Sequence, residues 1–141
     1  MPRITLEMPD QYHFTTEIPI RISDINYGGH LGNDAVLSII HEARLRFLID
    51  HQWTEMNVAG SGIIMSDSAV VYKSEAFYGE SLRIQVGIKD LGRFGCDIYY
   101  LLRERETGRE VAHAKTDIVF FDYEKRKLAP VPEEFRSLFG T

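Results

Sequence analysis

The residues best equipped for chemistry sit together in Ser23-Asp24-Ile25-Asn26-Tyr27-Gly28-Gly29-His30-Leu31-Gly32-Asn33-Asp34, directly ahead of a long run of helix-forming residues. At the start of a helix the first backbone N–H groups have no intrahelical acceptor, so they can hold an oxyanion or a ligand carbonyl. Neighbouring glycines let a ligand come close to those donors. The competing reading is an elaborate cap and turn with no ligand, since Asn, Asp, Ser and Gly are also the ordinary turn residues. Further along, Asp34, Ser38 and Glu42 repeat at i, i+4 and i+8, with His41 and Arg44 beside them, as one narrow polar edge on an apolar helix. His13, His51 and His113 are scattered and make no metal-ligand spacing, so a metal is not expected.

The elements that must position this cluster are legible from periodicity. Residues 15–22 alternate, with Thr16, Ile18, Ile20 and Ile22 on one side, and read as a half-buried strand whose Pro19 places it at a sheet edge or turns that position outward. From Asn33 to His51 there is no Gly or Pro, and the helix expected there has Asn33 as its N-cap and Asp34 where the dipole favours an acid. Val36, Ile40, Ala43 and Phe47 form one stripe, but Leu37, Ile39, Leu45, Leu48 and Ile49 spread round the circumference, as in a helix buried on several sides. Four strands then follow, at Ile63–Tyr72, Leu82–Lys89, Gly95–Arg103 and Glu110–Phe121, separated by short glycine-containing turns that imply antiparallel neighbours. The expected class is α+β, a sheet of five to six strands wrapped against one long helix. Residues 128–141, with Phe135 and Leu138, read as a tail that folds back as a short helical turn.

The 141 residues amount to one domain, 1–141, with its core at about residues 15–121. A composition 44% hydrophobic and 26% charged is that of a globular chain. A net charge of −5 argues against nucleic acid as a partner, and no segment has the apolar run of a signal peptide or a membrane span. The single Cys96 allows no intrachain disulfide, which fits a reducing cytoplasm. A helix so apolar needs more cover than one small sheet supplies, and sheet edges invite pairing, so a homodimer or homotetramer is expected.

The stretch Asp24-Ile25-Asn26-Tyr27-Gly28-Gly29-His30-Leu31-Gly32-Asn33 resembles the Asp-x-Asp-x-x-Gly-His-Val-x-Asn signature of the hotdog-fold acyl-CoA thioesterases, the 4-hydroxybenzoyl-CoA thioesterase-like family. Glu42-Ala43-Arg44 is similar to that family's mid-helix Glu-Ala-Arg, and Tyr72 to Glu80 to its strand-to-turn segment ending in Tyr-Gly-Asp. The resemblance implies a central helix wrapped by an antiparallel sheet, dimers joined through their sheets, and acyl-CoA sites between subunits. It also implies hydrolysis of an acyl-CoA, with coenzyme A as part of the substrate and no separate cofactor. Plant acyl-carrier-protein thioesterases share the loop type.

One position departs from the pattern. The family's working carboxylate, the second acid of Asp-x-Asp, falls on Asn26, which can neither attack a thioester nor take a proton from water. His30, with a reference pKa of ~6.5, can serve as general base for water or merely order the loop through a backbone carbonyl, and Glu42 is a second candidate, against the plainer reading of a buried Glu paired with Arg44 or with the loop. Asp24 matches the first acid, which more often holds the loop. A backbone N–H near Asn33 would polarise the carbonyl, and Asn26 would orient water or the carbonyl. Tyr27, Gly28 and Gly29 would border the substrate, with Ile64, Met65 and Trp53 as further apolar wall, although Trp53, Met56 and Met65 also read as core. Lys89 and Arg93 match the basic turn that meets the CoA nucleotide in similar enzymes, or are two exposed charges flanking a hairpin. Asp67 reads as a solvated strand position or as one reaching across a dimer. The alternative function is a non-hydrolytic acyl-CoA-binding hotdog protein that lost its acid at position 26.

Overall fold

Period-two alternation and helical runs become, in the computed structural model, six strands and two α-helices; residues 3–140 are described. Their order is β1 (Phe14–Pro19), α1 (Asn33–Asp50), β2 (Gly62–Tyr72), β3 (Ser81–Lys89), β4 (Gly95–Glu104), β5 (Glu110–Asp122), β6 (Lys127–Leu128) and α2 (Glu133–Phe139), with a 3-10 turn at Ile22–Asp24. The four long strands fall within one residue of their expected bounds. The first strand is shorter than expected: it ends at Pro19, and Ile22, expected to point inward with Ile18 and Ile20, is exposed in the 3-10 turn. A proline cannot extend the ladder, so the chain leaves the sheet there.

All strand pairs are antiparallel, in the order β1-β3-β4-β5-β2, with β6 added to β5. Pro19 therefore does lie on an edge strand, β1, and the other edge is β2. Inward residues of β3 and β4, among them Leu82, Ile84, Val86, Ile98, Tyr100 and Leu102, join Val36, Ile39, Ile40, Ala43, Phe47 and Leu48 of α1 in one core. The helix is not buried on every side, since Leu37 and Ile49 remain exposed.

One charge enters this core. Arg44 is buried in α1; its Nε donates to Glu55 Oε2 at 3.2 Å and its Nη1 to the Tyr100 hydroxyl at 3.2 Å, which in turn meets Thr116 Oγ1 at 2.8 Å. Burying a guanidinium is costly unless its donors find partners, and this network gives the Nε and Nη1 of Arg44 theirs, linking α1 to the loop after it, β4 and β5. Glu42 is thus not the partner of Arg44. It is exposed and bonds Arg46 Nε at 2.8 Å, the i,i+4 spacing that helix geometry favours over i,i+2.

The C-terminal tail does fold back, as α2. Phe135 and Phe139 close the end of the core against Trp53 and Phe47, with ring centroids 5.9 Å apart for Trp53–Phe135 and 5.5 Å for Phe47–Phe139. Trp53 is therefore core packing. Met56, read as core, is exposed, while Met65 packs at the core's margin.

On the outer face of the sheet, Asp67, Asp117 and Asp97 stand opposite one another across β2, β5 and β4. Asp67 is an exposed strand position, tied with Asp97 to Lys115 Nζ at 3.4 and 3.6 Å. Burial, followed by the hydrogen bond and charge of Asp117, outweighs Lys115 and pushes the Asp97 carboxyl up to about 6. The folded chain then holds a proton that the unfolded chain, at a reference of ~3.9, has lost, so stability falls as pH rises through the interval from ~4 to ~6 and stays lower above it. Asp97→Asn is expected to raise stability at pH 8 by up to about 1 kcal/mol, the scale of a like-charge cross-strand pair, and to change it little at pH 4. Urea unfolding at the two pH values checks this.

Candidate active site at the start of the central helix

The polar loop is organised by Asn26. Its Oδ1 accepts the N–H of Gly28 at 2.9 Å and of His30 at 3.4 Å, while its own N–H donates to His30 O at 2.9 Å and its C=O accepts Gly29 N–H at 3.1 Å. Both side-chain contacts come from donors, so the oxygen is committed to the loop and the carboxamide NH2 is left for something else. Gly29, with φ at +84°, sits in the left-handed region that such a reversal needs.

Asp24 does hold the loop from below. It is buried, and its carboxylate accepts the Arg21 N–H at 2.8 Å and the guanidinium at 3.1 Å, while its C=O accepts Gly32 N–H at 2.9 Å. Burial raises its pKa, but the hydrogen bonds and charge of Arg21 outweigh that and hold the carboxyl below its ordinary value. It lines a separate depression with Glu42 and Arg46, away from His30.

Helix α1 begins at Asn33 with Gly32, not Asn33, as its N-cap; Gly32 O accepts the Ala35 N–H at 3.1 Å. The N–H groups of Asn33 and Asp34 precede that bond and have no intrahelical acceptor. A Cβ at position 32 would come within 2.7 Å of Asp34 Oδ1, so any other residue there would require the Asp34 carboxylate to move. Asp34 thus turns its carboxylate back over the helix end, where the dipole favours it.

A depression of about 720 Å³ opens here, bordered by Asn26, Tyr27, His30, Asn33 and Asp34 on one side. The His30 Nδ1 lies 3.4 Å from Leu31 O, which can only accept, so that nitrogen carries the hydrogen and, in the neutral ring, Nε2 is left as the acceptor. The opposite wall is the segment from Tyr72 to Ala76, with Val111 beneath. That segment is pinned firmly: Leu31 N–H donates to Ala76 O at 2.7 Å, Lys73 N–H to Val111 O at 2.8 Å, and Arg109 Nη2 to Glu75 O at 3.0 Å. The Tyr72 hydroxyl donates to Asn33 O at 3.3 Å, and burial, aided by the charge of Asp34, raises its pKa, so it stays a phenol.

The structure therefore brings together Asn26, Tyr27, His30 and Asn33, with Gly28 and Gly29 in the same exposed turn. It adds two residues that sequence reasoning passed over, Tyr72 and Glu75; both stand in the Tyr72–Glu80 motif, the one available signal. Glu42 is not part of the group, and neither are Ile64, Met65 or Trp53. Lys89 and Arg93 are remote from it. Ser81, at one end of β3, follows Glu80, whose C=O holds the chain leaving β1, whereas Lys89 ends the same strand about 26 Å away at ~3.3 Å per residue. Lys89 Nζ donates to Glu7 O at 2.8 Å, and the Arg93 guanidinium lies over Phe94. The other histidines are occupied elsewhere, His41 and His113 with Glu55 and Glu110, His13 with the Ile88 N–H, and His51 stacked on Trp53. Among the described residues no three His, Cys, Asp or Glu side chains gather to hold a metal ion, and no helix is long and apolar enough to cross a membrane. Burial pushes the Cys96 thiol up, which leaves it inert.

Solved structures share this fold. A 1,4-dihydroxy-2-naphthoyl-CoA thioesterase from Synechocystis superimposes with a TM-score of 0.79 at 21% identity, over 88% of this chain and 93% of its own. A thioesterase from Thermus thermophilus, complexed with coenzyme A and zinc, gives 0.77 at 22% identity over 90% and 97%. A thioesterase-superfamily protein from Jannaschia sp. CCS1 gives 0.82 at 18% identity over 94% and 84%. These likenesses establish the hotdog fold. No curated protein matches the chain. The family described as the thioesterase-like superfamily matches residues 20–139, nearly the whole of the loop, helix and sheet just described, and the chain belongs to it.

Proposed function

We propose that the protein hydrolyses an acyl-CoA thioester to the free acid and coenzyme A. The observation that carries this reading is the placement of His30: its Nδ1–H is held by Leu31 O, so a basic Nε2 faces the depression at whose rim the free N–H groups of Asn33 and Asp34 lie. The thioester carbonyl sits on those N–H groups, and the Asn26 NH2, free because its oxygen is committed, orients the same carbonyl. Water attacks from the His30 side. Tyr27, wholly exposed in one chain, and the adjoining Gly28 and Gly29 border the acyl group. Glu42, held by Arg46 in a different depression, is set aside as the base for its own chain's site.

Lys89 and Arg93 serve the CoA phosphates from a second copy of the chain, because within one copy they stand at the far end of β3. A homodimer or homotetramer in the cytoplasm is the working unit, and the open edge of β2 and the exposed Leu37 support it. No cofactor is required beyond the coenzyme A of the substrate.

One observation favours the alternative, an acyl-CoA-binding protein without turnover: the residue at the family's acid position, Asn26, cannot ionise. Thiol release measured over short, long and aromatic acyl-CoAs separates the two. Hydrolysis of at least one class, lowered roughly 10²- to 10⁴-fold by His30→Ala, is expected; a flat response to every ester sinks the hydrolase. Asn26→Asp keeps an oxygen for the Gly28 and His30 N–H groups, so it is expected to fold normally. CoA esters that bind without wild-type turnover, together with hydrolysis created by that substitution, would establish the alternative. Sedimentation is expected to return two or four times the 16.2 kDa of one chain, and a monomer in dilute solution would remove the shared site.

A further inference from the structure

With no acid at position 26, something else must hold the attacking water, and we infer that Glu75 and His30 form a catalytic pair in which the carboxylate on the strap after β2 replaces the missing one. The inference rests on the hydrolase reading above.

His30 Nε2 lies 4.0 Å from Glu75 Oε1. That is too long for a direct hydrogen bond, and both atoms are acceptors when the ring is neutral with its hydrogen on Nδ1. A water at ~2.8 Å from each would subtend about 90°, close to the angle between its own two hydrogens, so it can donate one to each acceptor and turn a lone pair outward. Both side chains border the depression that holds the Asn33 and Asp34 N–H groups. A water so held would share one depression with the N–H groups that polarise the thioester carbonyl.

Backbone contacts, which do not depend on the Glu75 side chain, fix this spacing. Arg109 Nη2 donates to Glu75 O at 3.0 Å and Ser74 N–H to Val111 O at 3.3 Å, while Leu31 N–H, next to His30, donates to Ala76 O, next to Glu75, at 2.7 Å. His30 and Glu75 thus flank a hydrogen bond that ties their two segments together. Asp34, the other carboxylate in the depression, is turned over Gly32 at its own helix end.

The step balances without an added reactant. The water oxygen bonds the carbonyl carbon, the π pair moves to the carbonyl oxygen on the helix N–H groups, and one water proton passes to His30 Nε2. The imidazolium so formed faces Glu75, which stabilises its charge. Collapse re-forms the carbonyl, breaks the C–S bond, and returns the proton from Nε2 to the leaving thiolate, giving acid and thiol.

Steady-state kinetics of wild type, Glu75→Gln, Glu75→Asp and Glu75→Ala on the best acyl-CoA test the pair. Glu75→Gln is expected to lose about 10- to 100-fold in kcat with KM within about twofold, Glu75→Asp to recover part of it, and added formate to restore Glu75→Ala but not wild type. A merely structural role would show no formate rescue. Turnover by Glu75→Gln within about twofold of wild type, a loss confined to KM, or a loss found in Asp34→Asn instead overturns the pair and leaves the hydrolase standing. A wild-type protein that releases no thiol overturns both.

Discussion

Everything at the head of α1 depends on one backbone hydrogen bond between parts of the chain far apart in sequence, the 2.7 Å contact from Leu31 N–H to Ala76 C=O. Both residues are buried, so the bond is shielded from water and costly to leave unmade. It draws the strap after β2 against the loop before α1 and makes a cleft out of two segments that would otherwise each face solvent. Two more backbone bonds continue the seam: Gly32 N–H to Asp24 C=O at 2.9 Å and Ile20 N–H to Glu80 C=O at 3.0 Å. Because main-chain atoms make this frame, the side chains that face the cleft are free to differ without loss of the fold.

Asn26 illustrates that freedom. The loop asks of position 26 an oxygen that accepts two N–H groups, and a carboxamide supplies it as well as a carboxylate does. Position 24 is different. Its side chain is buried under the loop and meets the Arg21 guanidinium, so only an ionised acid completes that pair. In this chain positions 24 and 26 thus carry separate burdens, a buried carboxylate paired with an exposed arginine at 24 and a turn acceptor at 26. The charge at 26 is a matter of chemistry, and it can be lost while the architecture stays.

Local physics made most of the fold legible. Alternation and glycine turns mark β2 to β5, the Gly- and Pro-free run marks α1, and Pro19 marks an edge. The misses are of two kinds. Some are local and were available: Glu42 belongs with Arg46 at i+4, since i+2 lies on another side of a helix, and the cap is Gly32, one residue before the more familiar Asn. Others are long-range. Trp53 packs on α2, which arrives from the other end of the chain, and Glu75 reaches His30 only because residues 31 and 76 bond. No spacing along the sequence encodes such a meeting. The motif from Tyr72 to Glu80 said that the segment matters, not what it faces.

The distribution of charge carries the argument from one chain to two. The cleft at the head of α1 holds the carboxylates Asp34 and Glu75 with Lys73 as its cation, a poor place for the phosphates of coenzyme A. The basic residues proposed to meet them, Lys89 and Arg93, lie toward the opposite end of β3. A thioester whose reacting carbon sits by His30 must carry its nucleotide away from that acidic cleft, and on the proposed reading the cations that receive it belong to a neighbouring copy. The same neighbour would cover Tyr27, whose ring has no cover in a single chain, and would satisfy the open ladder of β2. An exposed aromatic, an open strand edge and a separation of acid from base are three unrelated observations in one chain, and the proposed second copy would answer all three at once.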